Sequence, residues 1–148
     1  MAKMSRGIRN NNPGNIRRSA TKWAFLKPVQ SDKAFCQFIE MKYGIRAFFI
    51  LMRTYRYNYG LKTVGQILRR YAPPSENDLV SYQAFLTKHF LTPDLGLRSD
   101  AAYCIFAKYI FKYESGFACT TDYLKLLMRE QNCNVINPRK ESHEADLF

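Results

Sequence analysis

Glu114 is the carboxylate whose place in the sequence best suits acid–base chemistry. It lies in Lys112-Tyr113-Glu114-Ser115-Gly116, where a largely apolar segment ends in a glycine. That segment is predicted to be a helix, so Glu114 falls in the last turn, where the helix dipole disfavours negative charge. Aromatic surroundings would raise the pKa of Glu114 further by desolvation, and a raised pKa suits a general acid working near neutral pH. The alternative is a surface glutamate beside a glycine C-cap.

A second unusual segment is the asparagine-rich run of residues 6–17, Arg-Gly-Ile-Arg-Asn-Asn-Asn-Pro-Gly-Asn-Ile-Arg. Asn and Gly tolerate left-handed backbone angles and Pro fixes φ, so the run predicts a tight, multiply turned loop. The loop is expected to lead into a strand at Asn15 to Arg17. Either it holds the shape of a site, or its asparagines only cap turns.

The elements that position these two segments follow from the spacing of apolar residues. Alternation between Trp23 and Phe38 predicts a small hairpin or sheet. From residue 43 onward, steps of three and four predict helices instead. These are expected over 43–59, 64–71, 79–90, 100–115 and a short segment reaching residue 128. The expected caps are Thr63, Asn77 or Asp78, Ser99, Thr120 or Thr121, and the stops are Gly60, Pro73-Pro74 and Gly116.

Length and composition favour one domain. The chain has 148 residues and is 47% hydrophobic, enough for a real core, so we expect a single domain at 1–136 and a polar tail at 137–148. The fold class is α+β, mostly α. No apolar run approaches the length of a membrane span, and no apolar stretch of a secretory signal follows the basic first residues. We therefore expect synthesis in the cytoplasm without a signal peptide, reduced cysteines and, given the absence of metal-ligand spacings, no metal or cofactor.

The charge balance points to an anionic partner. Lys and Arg number 23 against 12 Asp and Glu, a net charge of +11. Such a surface attracts nucleic acid, and equally a bacterial cell wall with its carboxylates and teichoic acids. The basic residues are scattered and no zinc-finger, RNP or GXXG signature occurs, which weakens sequence-specific recognition of nucleic acid and makes it the less favoured partner.

Several motifs occur in an order that resembles a phage family. The run at 6–17 is followed by Asp32 with Phe35 and Phe38. The motifs that come after them are Gly-Ile-Arg-Ala at 44–47, Tyr-Gly-Leu-Lys-Thr-Val at 59–64 and Ala-Pro-Pro-Ser-Glu-Asn-Asp at 72–78 with Tyr82. Over roughly residues 6–118 the chain resembles phage and prophage proteins labelled structural protein P5-like. These resemble the lysozyme superfamily in turn, in which a helix ends in a catalytic Glu and an Asn-rich hairpin packs across it. Both pieces occur here in reverse order, which implies a circularly permuted lysozyme-like fold.

The resemblance implies a peptidoglycan-degrading glycosidase, of the lytic transglycosylase or the muramidase or glucosaminidase type, with Glu114 as general acid. Asn12, Asn15 and Tyr82 would line the glycan groove, and Trp23 could stack on a sugar ring or belong to the core. A hydrolase needs a second carboxylate, for which the candidates are Asp32, Glu40, Glu76 and Asp78. Without one, a hydroxyl of the substrate would attack and leave a 1,6-anhydro end, the outcome slightly preferred.

Such an enzyme would act in the periplasm or on the cell wall after release, virion delivery or injection. Its expected partners are peptidoglycan glycan strands and, depending on the route, components of a virion or secretion machine or an immunity protein. Two other functions stay open. One is a virion structural protein that has kept the fold and lost the activity, and the other is a basic single-stranded nucleic-acid binder with aromatic stacking faces.

Overall fold

The computed structural model describes residues 4–72 and 75–136. Within them the chain forms six α-helices and no β-strand. The helices are α1 (Arg6–Arg9), α2 (Met41–Tyr59), α3 (Val64–Tyr71), α4 (Glu76–Lys88), α5 (Asp100–Ser115) and α6 (Thr121–Glu130). The predominance of helix predicted from the sequence is therefore correct, whereas the β part of the predicted α+β class has no strand among these residues. The predicted tail at 137–148 and the predicted stop at Pro73-Pro74 lie outside the described residues.

Local capping explains most helix boundaries. The hydroxyls of Thr63, Ser99 and Thr120 accept hydrogen bonds from the first turns of α3, α5 and α6, which confirms these N-caps. Gly60 and Gly116 end α2 and α5 with φ of 66° and 70°, as expected for glycine C-caps.

The prediction for α4 is wrong at both ends. Its N-cap is Ser75, whose Oγ accepts from the Asp78 amide, so Asn77 and Asp78 lie inside the helix. The helix ends at Lys88, before Phe90 turns to a φ of 67°. Both Ser and Asp are good capping residues, and the sequence pattern alone did not separate them.

The predicted early hairpin is reduced to two isolated antiparallel bridges, Arg17 with Phe35 and Leu26 with Phe38. The reason is that side chains form hydrogen bonds with backbone groups that would pair with each other in a regular β-ladder. The backbone N–H of Gln37 donates to the side-chain oxygen of Gln30. The side-chain oxygen of Gln37 in turn accepts a hydrogen bond from the backbone N–H of Ser31. The segment is thus an irregular layer packed on the helices.

The core is built around α5. Phe106, Ile110 and Phe111 of this helix are buried, and Phe48 of α2 lies with its ring 5.0 Å from that of Phe111. The prediction of an enclosed helix holds for most of its length, although Ile105 is 41% exposed. In the described part of the chain, no helix is both long and apolar enough to cross a membrane.

Candidate active site

Glu114 meets the asparagine-rich loop at the end of α5. The side-chain amide of Asn15 donates to Oε1 of Glu114 at 3.1 Å and to its backbone carbonyl oxygen at 3.0 Å. Asn15 has φ of 52° and Asn11 has φ of 53°, which confirms the left-handed angles expected of this run. Two segments 99 residues apart in sequence therefore form one site.

Ser115 clamps the loop against α5. Its buried Oγ lies 2.8 Å from the carbonyl oxygen of Pro13, and the Ser5 hydroxyl donates to the Ser115 carbonyl at 2.6 Å. Gly7 of α1 is packed so tightly that a Cβ there would lie 2.6 Å from Cβ of Ser115 and 2.8 Å from Oδ1 of Asn15. The motif after Glu114 thus holds the asparagine loop in register with the carboxylate.

Asn12 is an internal brace of that loop. Its side chain is fully buried, and its amide donates to the carbonyl oxygens of Ile16 and Cys36 at 3.0 and 2.9 Å. Its Oδ1 accepts from the amide of Ile16 at 2.9 Å. Because the Asn12 side chain is buried and both of its polar atoms are hydrogen-bonded within the loop, it is not exposed for the contact with a glycan that the sequence predicted.

Burial raises the pKa of Glu114 above its ordinary value. The Tyr82 hydroxyl, the Asn15 amide and the positive charge of Arg17 act in the opposite direction but do not outweigh burial. Burial and the nearby Glu114 charge also raise the pKa of Tyr71 and of Tyr82 well above the usual tyrosine value, so both hydroxyls keep their protons. The carboxyl is thus half-buried beside the Asn15 amide, and burial lets it keep its proton to a higher pH than an exposed glutamate does.

A shallow depression of about 230 Å³ opens beside Glu114 and is lined by Asp78, Tyr82, Tyr113 and Glu114. Tyr82 is 1% exposed and stacks on Tyr113, with ring centroids 4.0 Å apart. Its buried hydroxyl makes no hydrogen bond of ordinary geometry to any described residue. Tyr82 therefore forms the floor of this depression, and Tyr113, which the sequence did not single out, forms part of its exposed wall.

Of the candidate second carboxylates, Asp32 already forms an ion pair with Arg6. Its side chain, 8% exposed, accepts from Arg6 at 2.6 and 2.7 Å and from the Asn10 amide at 2.9 Å. The Arg6 hydrogen bond is the largest of the effects that hold the pKa of Asp32 well below its usual range. Asp32 also accepts from the backbone amides of Ala34 and Phe35, so its role here is to fix the loop.

The other three carboxylates differ in position. Glu40 is exposed at the N-cap of α2 and makes no side-chain capping bond. Glu76 begins α4, and its side chain lies outside the described residues. Asp78 is exposed and lines the same depression as Glu114. Of the candidates with described side chains, Asp78 is the one that the fold brings to the site.

A second depression, of about 190 Å³, lies next to Asn15. Trp23 lines it, packed in part against the core with its Nε1 buried and without a hydrogen-bond partner among the described residues. The depression also includes side chains that the sequence did not single out for a site, namely Arg17, Tyr55, Arg70 and Tyr71. Tyr71 donates a short hydrogen bond to the Gly14 carbonyl, which ties α3 to the asparagine loop. Spacing gave no signal for these residues because they come from separate elements.

A metal centre finds no support in the residues that the structure describes, where no group of three or more His, Cys, Asp or Glu side chains is placed to hold an ion. The site therefore has one half-buried carboxylate, amide and phenol donors, and aromatic walls. These groups can transfer a proton and bind a polar, uncharged ligand by hydrogen bonds.

No protein-family profile matches the chain. The chain is similar to Protein P5 of Pseudoalteromonas phage PM2, with 32% identity over 115 residues, which cover 76% of this chain and 72% of the phage protein.

Proposed function

This chain belongs to the same family as Protein P5 of Pseudoalteromonas phage PM2, and from that premise we propose that it is a phage-associated enzyme that cleaves the glycan strands of peptidoglycan. Glu114 is the proposed general acid and base. The observation that carries the proposal is the half-buried Glu114 carboxyl held by the Asn15 amide at the end of the core helix. The name of the phage protein states no activity.

The environment of Glu114 supports the first chemical step. Because burial raises its pKa, a fraction of the carboxyl groups stays protonated at a higher pH than for a free glutamate. The protonated form would give its proton to the glycosidic oxygen as the bond to the anomeric carbon breaks. Asn15 then stabilises the carboxylate that remains, since its amide donates to Oε1.

The second step depends on what captures the anomeric carbon. In the form that we propose, a hydroxyl of the same sugar attacks this carbon and passes its proton to Glu114, which restores the acid and leaves an anhydro end. No water is consumed, and one carboxylate suffices. Occupation of Asp32 by Arg6 supports this form, while Asp78 on the rim of the depression is the candidate for a hydrolytic alternative.

The proposed fold relationship is a circularly permuted lysozyme-like domain. Its support is that the glutamate ending a buried helix and the asparagine-rich loop meet in space, although the loop comes first in the chain. In place of a regular hairpin, the loop region has two isolated bridges. The proposed place of action is the periplasm or cell wall, reached by virion delivery, release or injection.

A second function, a virion structural protein without activity, is equally compatible with membership in a family that includes a phage protein. A gel containing bacterial cell walls separates the two. Wild type should clear the gel, and Glu114→Gln, which keeps an oxygen to accept from Asn15, should lose at least about a hundredfold in activity, as expected for loss of a general acid. Circular dichroism of both proteins serves as the folding control.

Three results would decide otherwise. Equal clearing by wild type and Glu114→Gln would remove Glu114 from catalysis. A folded wild type that clears no gel, together with incorporation into particles, would favour the structural function. Salt-sensitive binding to single-stranded oligonucleotides without clearing of the gel would favour the hypothesis of a nucleic-acid-binding protein.

A further inference from the structure

The depression next to Asn15 is both basic and aromatic, and we call it the arginine pocket. The residues that line it include Asn15, Arg17, Trp23, Tyr55, Arg70 and Tyr71. Its volume of about 190 Å³ is below the range of about 300–1,000 Å³ typical of whole ligand sites. The pocket therefore suits one sugar or one substituent of a longer ligand.

The two arginines give the lining of the pocket a positive charge. No acidic side chain lines the pocket, and neither Arg17 nor Arg70 has an acidic partner at ion-pair distance among the described residues. The Arg70 guanidinium lies 4.1 Å from the ring centroid of Tyr59, and that of Arg17 lies 5.3 Å from the ring of Phe35. Stacking uses the face of a guanidinium and leaves in-plane N–H groups for a carboxylate.

The pocket adjoins the proposed chemistry. Asn15 lines it and also donates to Oε1 of Glu114, and the charge of Arg17 is close enough to act on that carboxyl. Tyr55, Tyr71 and Trp23 provide aromatic walls, which suit the apolar faces of a sugar ring. A ligand part held here would sit beside the bond at which Glu114 acts.

We propose that the arginine pocket binds the carboxylate of an acidic amino sugar in the substrate, and so selects carboxylate-bearing glycan over neutral glycan. The inference rests on the proposed function, because it takes Glu114 as the point of cleavage. The shared chemistry is a carboxylate next to the sugar, from either the lactyl group of muramic acid or the peptide attached to it.

The test uses binding to Glu114→Gln, which holds the ligand without cleaving it. Calorimetry would compare the disaccharide N-acetylglucosaminyl-N-acetylmuramic acid with its methyl ester, which differs by one charge. We expect the acid to bind about tenfold more tightly, because hydrogen bonds from a guanidinium to a carboxylate are stronger than those to a neutral ester. A second pair, the disaccharide-peptide and its form with amidated peptide carboxyls, tests the peptide as the source.

Variants assign any preference to the pocket. Arg17→Gln and Arg70→Gln should each lower the affinity for the acid toward that for the ester, and the affinity for the ester should not change. Arg70→Lys should keep part of the preference for the acid. Arg98→Gln is the matched control, because Arg98 is exposed and lines other depressions. A higher salt concentration should weaken binding of the acid but not binding of the ester.

The proposal is overturned if neither ligand pair shows a preference, if no probe binds at millimolar concentration, or if Arg98→Gln acts like the pocket variants. A preference in the peptide pair alone keeps the pocket and names the peptide as the source. Failure of the proposed function has a different signature. Cleared gels without a carboxylate preference would remove only the pocket, and a preference without clearing would leave a binding site on an inactive protein.

Discussion

The Asn15 side chain bridges both the carboxyl and the backbone of Glu114, with its Nδ2 atom 3.1 Å from Oε1 and 3.0 Å from the carbonyl oxygen. The contact fixes the glutamate side chain relative to the loop. It also stabilises the charged form of Glu114 against the effect of burial. The protonation of Glu114 is therefore coupled to the placement of the loop.

Removing the Asn15 amide should raise the pKa of Glu114. Asn15→Gly is the preferred change, since glycine tolerates the φ of 52° and the amide donor is lost. The pKa follows from the ¹³C shift of the Glu114 side-chain carboxyl carbon during a pH titration. Asn11→Gly is the matched control, because Asn11 has φ of 53° and its amide donates to Phe38 rather than to Glu114. Equal shifts in both variants would contradict the assignment.

Glu114→Gln should gain stability relative to wild type as pH rises. Because burial raises the folded pKa of Glu114, its contribution to stability is full below the unfolded value, near 4.3, and is lost as pH rises through the folded pKa. Glutamine has no such loss. Melting temperatures at pH 4 and pH 8 measure the effect, with the exposed Glu130→Gln as control. A difference between Glu114→Gln and wild type that does not change with pH would argue against a buried, raised-pKa carboxyl.

Asp32→Ala should destabilise the fold by about 2 kcal/mol, since the carboxylate accepts hydrogen bonds from Asn10 and two backbone amides besides Arg6. The folded pKa of Asp32 is lowered, so its stabilisation is present above the unfolded pKa, near 3.9, and declines as pH falls. Urea unfolding at pH 7 and pH 3 should show a smaller difference at pH 3. The exposed Asp122→Ala should have little effect at either pH.

Gly7→Ala should destabilise the fold by roughly 1–3 kcal/mol, the usual range for overpacking. The added Cβ would lie 2.6 Å from Cβ of Ser115, so α1 and the loop must move away from α5. Gly96→Ala is the control, because its nearest contact would be an ordinary 3.5 Å to Arg98. Both chemical denaturation and gel clearing should respond to Gly7→Ala, and a variant as stable and active as wild type would contradict this packing.

Asp78→Asn should keep wall-clearing activity within about threefold of wild type, because the proposed mechanism uses one carboxylate. Mass spectrometry of the fragments should find anhydro ends, each lighter by one water than a hydrolysed end. Glu40→Gln, an exposed carboxylate away from that depression, is the comparison. A loss of a hundredfold or more in Asp78→Asn with hydrolysed ends would instead make Asp78 the second carboxylate.

The sequence by itself determined the features that arise within a few residues of the chain. Thr63, Ser99 and Gly116 set helix boundaries because capping joins a side chain or a flexible backbone to its own first or last turn. The left-handed angles of the asparagine run followed from residue type in the same way. The missing hairpin shows the limit, since alternation does not reveal that Gln37 will pair with neighbouring backbone.

Only the tertiary structure decided what each candidate residue does. Asn12 and Asn15 are the same residue type in one loop, yet Asn12 is buried as a brace and Asn15 contacts Glu114. Asp32 had the residue type required of a second catalytic carboxylate, but in the folded chain it is paired with Arg6. The arginine pocket had no sequence signal, because its side chains come from distant segments. Burial, pairing and pKa are set by neighbours that only folding brings together.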